Sequence, residues 1–382
     1  DLLSGNGLRI IDGMLKGIPV IGPAISSGFF GGEFPGTEVV ARLYSLHIMI
    51  VPALIIVLIG VHLMMVIIHK HTHYSGPGRT DDNVVGYPLA PVYVAKAGGF
   101  FFLVFGVIAA ISATFTINPI WNYGPYDPSP VSAGTQPDWY IGWLDGALRL
   151  APSGWDISVF GYVIPMGVMV PLVVSLLFLG LVAAYPFIEN WVTKDKREHH
   201  VLDRPRNNPT RTAIGAAGVT FYGVLWAGAS TDLIATNFQM SLNQVLVAMQ
   251  ILLIIGPVIA YWVTKRACLS LQRKDREMVL HGRETGRIVR LPHGEFIEVH
   301  EPVDEYELWK LVDYKNYEPI LARPDENGRI SLGNRLRSAV SHLYFEDRIA
   351  PVSKAEYELA HADHAPTPIA EKPKKKQKSI KA

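Results

Sequence analysis

Residues 43–68 of this 382-residue chain are apolar almost without interruption, and that run limits the fold more than any other feature. Hydrocarbon offers a backbone no hydrogen-bond partners, so a segment that enters it must close its bonds internally. A helix of about 20 residues does this across a bilayer. Four further runs have the same character, 98–117, 160–185, 212–229 and 243–264, and together they predict an all-α polytopic membrane protein with five transmembrane helices. The fourth run is short and rich in small residues (Gly215, Ala216, Ala217, Gly218), which predicts close packing against neighbouring helices rather than lipid exposure. Composition agrees, with 49% of residues hydrophobic and 18% charged.

The basic residues set an orientation. Lys70 and Arg79 follow the first run, Lys194, Lys196, Arg197, Arg204, Arg206 and Arg211 follow the third, and Lys265, Arg266, Arg273 and Lys274 follow the fifth. Segment 118–159 instead carries Asp127, Asp138, Asp145 and Asp156 against Arg149, and 230–242 has only Asp232. These two loops are expected outside, with residues 1–42 as short outer-surface helices. Loops 69–97 and 186–211 are then inner. The C-terminus is inner too, where lysines 372, 374, 375, 376 and 378 meet water or anionic lipid.

Beyond the last run hydrophobicity collapses. Residues 265–345 are expected to form a small cytoplasmic extension, with "RIVRLPHGEFIEVHEP" as a hairpin, and 346–382 a mostly disordered tail. The single cysteine, Cys268, excludes an intrachain disulfide or a cysteine-ligated cluster. No nucleic-acid motif is present. The chain begins at Asp1 on a polar and apolar mixture and reads as a fragment.

Two imidazoles, His47 and His62, lie inside the first run. On an α-helix a spacing of 15 returns to within roughly 60° of the same face and separates the pair by about 22 Å. No one metal ion reaches both. Each could hydrogen-bond to another helix, or relay protons in a cofactor-free transporter. With Gly60 thinning the helix beside the second, the pair also suits two large planar cofactors stacked across the bilayer, and haem meets that description. The other runs contain no histidine, so a second axial histidine for each haem has to come from elsewhere.

The stretch "GGEFPGTEVVARLYSLHIMIVPALIIVLIGVH" resembles the fourth helix of cytochrome b from bc1-type quinol–cytochrome c reductases. That family has an Arg five residues before the first haem ligand and a Pro five after it, and Arg42, His47 and Pro52 occupy those places. The resemblance implies that His47 ligates the outer, low-potential b haem and His62 the inner, high-potential one. It covers about residues 1–265, the last five of the family's eight membrane helices, and implies that the three helices carrying the other ligands are lacking. A structural half of a split cytochrome is a further alternative.

The outer loop holds Pro137-Asp138-Trp139-Tyr140. Alone, this is an interfacial aromatic pair with a helix cap. It is similar to the family's Pro-Glu-Trp-Tyr motif at the outer quinol-oxidation site, with Asp in place of Glu. The resemblance implies that Asp138 accepts a proton and Tyr140 holds a quinone oxygen. "QPDWY", the "DRPRNNPTRTAIG" run and the C-terminal extension resemble the actinobacterial branch, which implies menaquinol. Gly7 aligns with a loop glycine beside the same site.

The inner loop has alternating His69, His71 and His73, a pattern also open to solvated loop or adventitious metal binding. The family builds an inner quinone site here, from a His five residues after the second ligand and a Lys-Asp pair. Ile67 and Ala97 depart from that pattern, leaving His69 and Lys96 as the counterparts. His199 and His200 are expected at the surface.

The resemblance implies a multi-pass subunit of the plasma membrane that passes one electron to a Rieske iron–sulfur protein and the other through two b haems to the inner quinone. Partners implied are that protein, a cytochrome c subunit, a terminal oxidase in a supercomplex and a second copy of the complex.

Overall fold

The computed structural model describes residues 2–83, 86, 88–116, 118–125, 127, 136–152, 154–312, 318–345 and 348–362. In chain order the helices are α1 (Leu2–Lys16), α2 (Gly22–Phe30), α3 (Val39–Ser45), α4 (Val51–His69), α5 (Val94–Thr114), α6 (Gly142–Leu150), α7 (Met166–Thr193), α8 (Pro209–Gly228), α9 (Thr231–Asn237), α10 (Leu242–His281), α11 (Glu305–Val312), α12 (Leu332–Phe345) and α13 (Lys354–Ala362). Two antiparallel hairpins, β1 (Asp156–Val159) with β2 (Tyr162–Pro165) and β3 (Arg283–Arg290) with β4 (Phe296–Glu301), make the chain mostly helical rather than all-α.

Among the described residues, four helical stretches are long and apolar enough to cross a membrane: Val39–His69, Leu89–Thr114, Met166–Thr193 and Leu242–His281. A fifth results if α8 and α9, bent by 69°, count as one span. The buried positions of α8 are Pro209, Thr210, Ala213, Val224, Leu225 and Gly228, while Ala216, Ala217 and Gly218 are half-buried, Gly215 is exposed, and a Cβ on Gly215 or Gly218 would meet nothing within 4 Å.

The third span starts at Met166, not 160. Phe160 and Gly161 both adopt positive φ, 49° and 81°, the backbone of a two-residue hairpin turn. Ile157, Val163 and Ile164 flank it as β-branched strand formers, so the residues before Pro165 pair as strands.

The last span extends past the apolar run to His281. A capping box starts it: Ser241 Oγ accepts from the Gln244 amide (3.2 Å) and Gln244 Oε1 accepts from the Ser241 amide (3.0 Å). Beyond residue 264 the helix continues because its buried face does. Lys265, Cys268, Gln272, Asp275 and Val279 recur at three- and four-residue steps and are all buried. Asp275, 1% exposed, receives Arg206 Nη1 at 2.9 Å and Arg204 Nη2 at 3.1 Å from the loop between α7 and α8. Gln272 bridges that loop, at the Arg206 carbonyl, to the Ile349 amide.

The C-terminal residues are also more structured than their composition predicts. Arg337 of α12 donates to the Trp191 carbonyl of α7 (2.7 Å), and Tyr344 donates to Glu189 (2.5 Å). Where a disordered tail is expected from 346, α13 forms behind a second capping box, Ser353 with Glu356, and Glu356 also pairs with Arg276 of α10. The tail from 363 on lies outside the described residues.

Removing the buried Asp275 carboxylate takes their shared partner from two partly buried guanidinium groups, Arg204 and Arg206. Asp275→Ala is expected to destabilise the folded subunit by about 3 kcal/mol, read as a lowered midpoint of thermal aggregation in detergent, while Asp275→Asn retains part of the loss through its remaining hydrogen bond.

Candidate functional site

The outer motif sits between Gln136 and the start of α6, and its backbone is held from several directions. Asn118 grips Gln136 at two points: its Oδ1 accepts the Gln136 amide and its Nδ2 donates to the Gln136 carbonyl, both at 2.8 Å. The buried Gln136 side chain donates through Nε2 to both Asp232 oxygens, at 3.1 and 3.0 Å, on α9. Trp226 of α8 donates to the Trp139 carbonyl and Trp143 of α6 to the Tyr140 carbonyl, each at 3.0 Å.

The side chains on this clamped backbone are free of it. Trp139 is 71% exposed and Tyr140 59%. Tyr140 donates its hydroxyl to Asp138 Oδ2 at 2.7 Å, and that bond to a carboxylate pushes the phenol above its ordinary range. An acceptor and a donor therefore stand together at the surface of the outer loop. Arg149 of α6 links Asp145 (2.7 Å) to Asp232 (3.2 Å) nearby. Burial pushes the Asp145 carboxyl up, and Arg149 partly offsets this.

α6 packs on α8 around Ala147, Leu150 and Leu225, with a close backbone approach at Gly146. A Cβ on Gly146 would lie 1.6 Å from the Leu225 carbonyl oxygen, and one on Gly228 would strike Leu150. The motif's position is thereby referred to α8.

His47 and His62 lie in the Val39–His69 span, both exposed, and among the described residues none in the span's most apolar stretch is buried. His47 falls in a widened π turn, Leu46–Ile50, closed by the Val51 amide on the Leu46 carbonyl. Pro52 explains the turn: it lacks an N–H and its ring crowds the carbonyl four residues back, which the wider turn relieves. The angle between the imidazoles therefore departs from the straight-helix figure. A Cβ on Gly60 would meet nothing within 4 Å, so that face is open to a planar group. Arg42, five residues before His47, pairs with Glu38 (3.8 Å) and reaches the Gly28 carbonyl (3.4 Å).

A family model described as cytochrome b (N-terminal)/b6/petB matches residues 1–125. The cytochrome b subunit of the cytochrome bc1 complex of Streptomyces coelicolor is 51% identical over 371 residues, 95% of this chain and 68% of that protein. This chain belongs to the cytochrome b family. The corresponding subunit of Streptomyces lividans is 48% identical over the same shares of both chains, and that of Mycobacterium tuberculosis H37Rv 47% over 80% of this chain and 56% of its own length. Membership makes this a multi-pass respiratory subunit for which b-type haem is the expected cofactor, and takes the ground from a haem-free transporter. The expectation of three lacking helices gains no support from these matches, which report on shared residues.

Against the rest of the cytochrome b resemblance, the structure differs in three places. Gly7 is in α1, not a loop. His73 is buried, not solvated: its backbone bridges to Val201, with His73 N donating to the His200 carbonyl (2.7 Å) and Leu202 N to the His73 carbonyl (2.8 Å). His200, expected at the surface, is buried by the same stitch, while His199 is 41% exposed at its side chain. His69 ends α4 and Lys96 lies in the first turn of α5. Among the described residues no three His, Cys, Asp or Glu groups gather as a metal site.

Sequence reasoning missed Asn118, Gln136, Asp232 and Trp226. The one available signal was Asp232, the sole charge in an otherwise uncharged outer loop.

Because the carbonyl facing Gly146 belongs to a helix backbone, Gly146→Ala is expected to force α6 from α8 at a cost of about 2 kcal/mol or more. A reduced yield of assembled subunit, with Gly124→Ala as a permissive control in open space, checks this.

Proposed function

We propose that this chain is the quinol-oxidising subunit of an actinobacterial-type menaquinol–cytochrome c reductase, working beside a Rieske iron–sulfur protein and a cytochrome c subunit. The observation that carries the reading is the Tyr140–Asp138 hydrogen bond, displayed on an exposed edge of a clamped backbone. A quinol loses two protons on oxidation. Asp138 is the acceptor for one of them, and Tyr140, once released from the carboxylate, donates to the quinone oxygen. Pro137 and Trp139 complete the contact surface, with Gly7 assigned to the same outer face.

His47 and His62 hold the b haems, with Arg42 beside the outer one. When bound, these groups supply one-electron carriers at two depths of the membrane. The residues fit: two neutral-capable imidazoles stand on a span with open faces, and Gly60 leaves room at the second. None of the other apolar runs (98–117, 160–185, 212–229 and 243–264) contains a histidine, so the second axial ligand of each haem has to come from elsewhere. His69 and Lys96 are assigned to an inner quinone site. The outer loops face the exterior and the C-terminal extension the cytoplasm, and the complex is assigned as a dimer in contact with a terminal oxidase.

In the purified complex, Asp138→Asn is expected to lower kcat for menaquinol oxidation roughly 10²-fold with unchanged haem absorbance. His47→Ala and His62→Ala are each expected to remove one b-haem component from the reduced-minus-oxidised spectrum. Full activity of Asp138→Asn, or full b-haem absorbance in both histidine variants, contradicts the assignment.

A further inference from the structure

The proton-accepting motif is held by a residue that never meets solvent. Gln136 is 3% exposed, and its two functional halves are fixed separately: the peptide group by Asn118, the side chain by Asp232. Asp232 is itself immobilised, since its Oδ1 also takes the Leu233 amide (3.0 Å) and Arg149 (3.2 Å). Pro137 follows, with a ring that restricts φ, and Asp138 comes next. Two residues from a doubly anchored position, with a proline between, the Asp138 backbone has little freedom of its own. Gln136 is also the only one of residues 136–140 to be buried.

The geometry points to Asp232 and Asn118 as positioning residues of the outer site: through Gln136 they fix where the Asp138 carboxylate stands, and so tie the quinol loop to the bend between α8 and α9. Neither residue touches the reacting groups. Their effect is on orientation, for which a displacement of about 1 Å can cost up to 10²-fold in rate. The inference rests on the reading of Asp138 as the proton acceptor.

The chemistry of the contact allows a specific rescue. Gln136 Nε2 donates and Asp232 accepts, so an Asp232→Asn/Gln136→Glu pair reverses donor and acceptor across the same gap, and places an anion on the other side of it. General damage to the fold is not repaired by such an exchange.

The test uses the whole purified complex with a soluble menaquinol analogue, and measures KM, kcat and their pH profiles beside the haem spectrum. Asp232→Ala and Asn118→Ala are expected to raise KM or lower kcat roughly tenfold and to move the acidic limb of the pH profile, at unchanged haem content. The Asp232→Asn/Gln136→Glu pair is expected to recover most of what Gln136→Glu alone loses. Wild-type kinetics and pH profile in both alanine variants, with Asp138→Asn impaired, overturn the positioning role and leave the proton acceptor standing. An unimpaired Asp138→Asn overturns the functional reading and this inference with it. Should Asp232→Ala not assemble, the Asn118→Ala profile and the paired exchange decide, and absence of an effect in the first or of recovery in the second counts against the inference.

Discussion

The cost of an unpaired peptide group in hydrocarbon governs this molecule. Within the membrane it leaves only helices, and α4 and α5 are little more than that: largely apolar, with no buried residue in either. The chemistry that a polar backbone permits is displaced to the ends of the spans. On one side lies the loop from Asn118 to Leu150, and on the other the basic loop 194–208 with the C-terminal helices. The two ends use the same device, a buried amide (Gln136 or Gln272) that joins a loop to the flank of a helix.

What differs between them is the role of charge. At the inner end Asp275 sits almost wholly buried between two arginines and serves cohesion. At the outer end Asp232 and Asp145 share Arg149 near the surface, while Asp138 is left outside that exchange, bonded only to a neutral phenol. Arg149 thus holds Asp145 and Asp232 to each other, while Asp138 faces outward beside Tyr140.

Legibility in the sequence followed the strength of the physical signal. The apolar runs, the two histidines and the Pro-Asp-Trp-Tyr motif were visible, because hydropathy and residue identity carry them locally. The start of the third span was misplaced, since Val163 and Ile164 are as apolar in a strand as in a helix and only Phe160-Gly161 distinguishes the two. The polar half of α10 was hidden because its buried stripe contains Lys265, Gln272 and Asp275, residues that a hydrophobicity pattern counts as solvent-facing. The clasp on Gln136 joins positions 118, 136 and 232, and nothing local in any of these segments announces the others. Ser353 and Glu356 are different: three residues apart, they carry a capping signature within one short segment.

The length of α10 has a consequence for whatever approaches the membrane from its far end. Forty residues of α-helix measure about 60 Å, about twice the hydrocarbon thickness of a bilayer. The part from 265 to His281 accounts for about 25 Å of this, more than the depth of a headgroup layer and well over a screening length of about 8 Å at physiological salt. The β3–β4 hairpin begins at Arg283, immediately beyond that polar half of the helix, so its arginines and glutamates follow the apolar run only after several further helical turns.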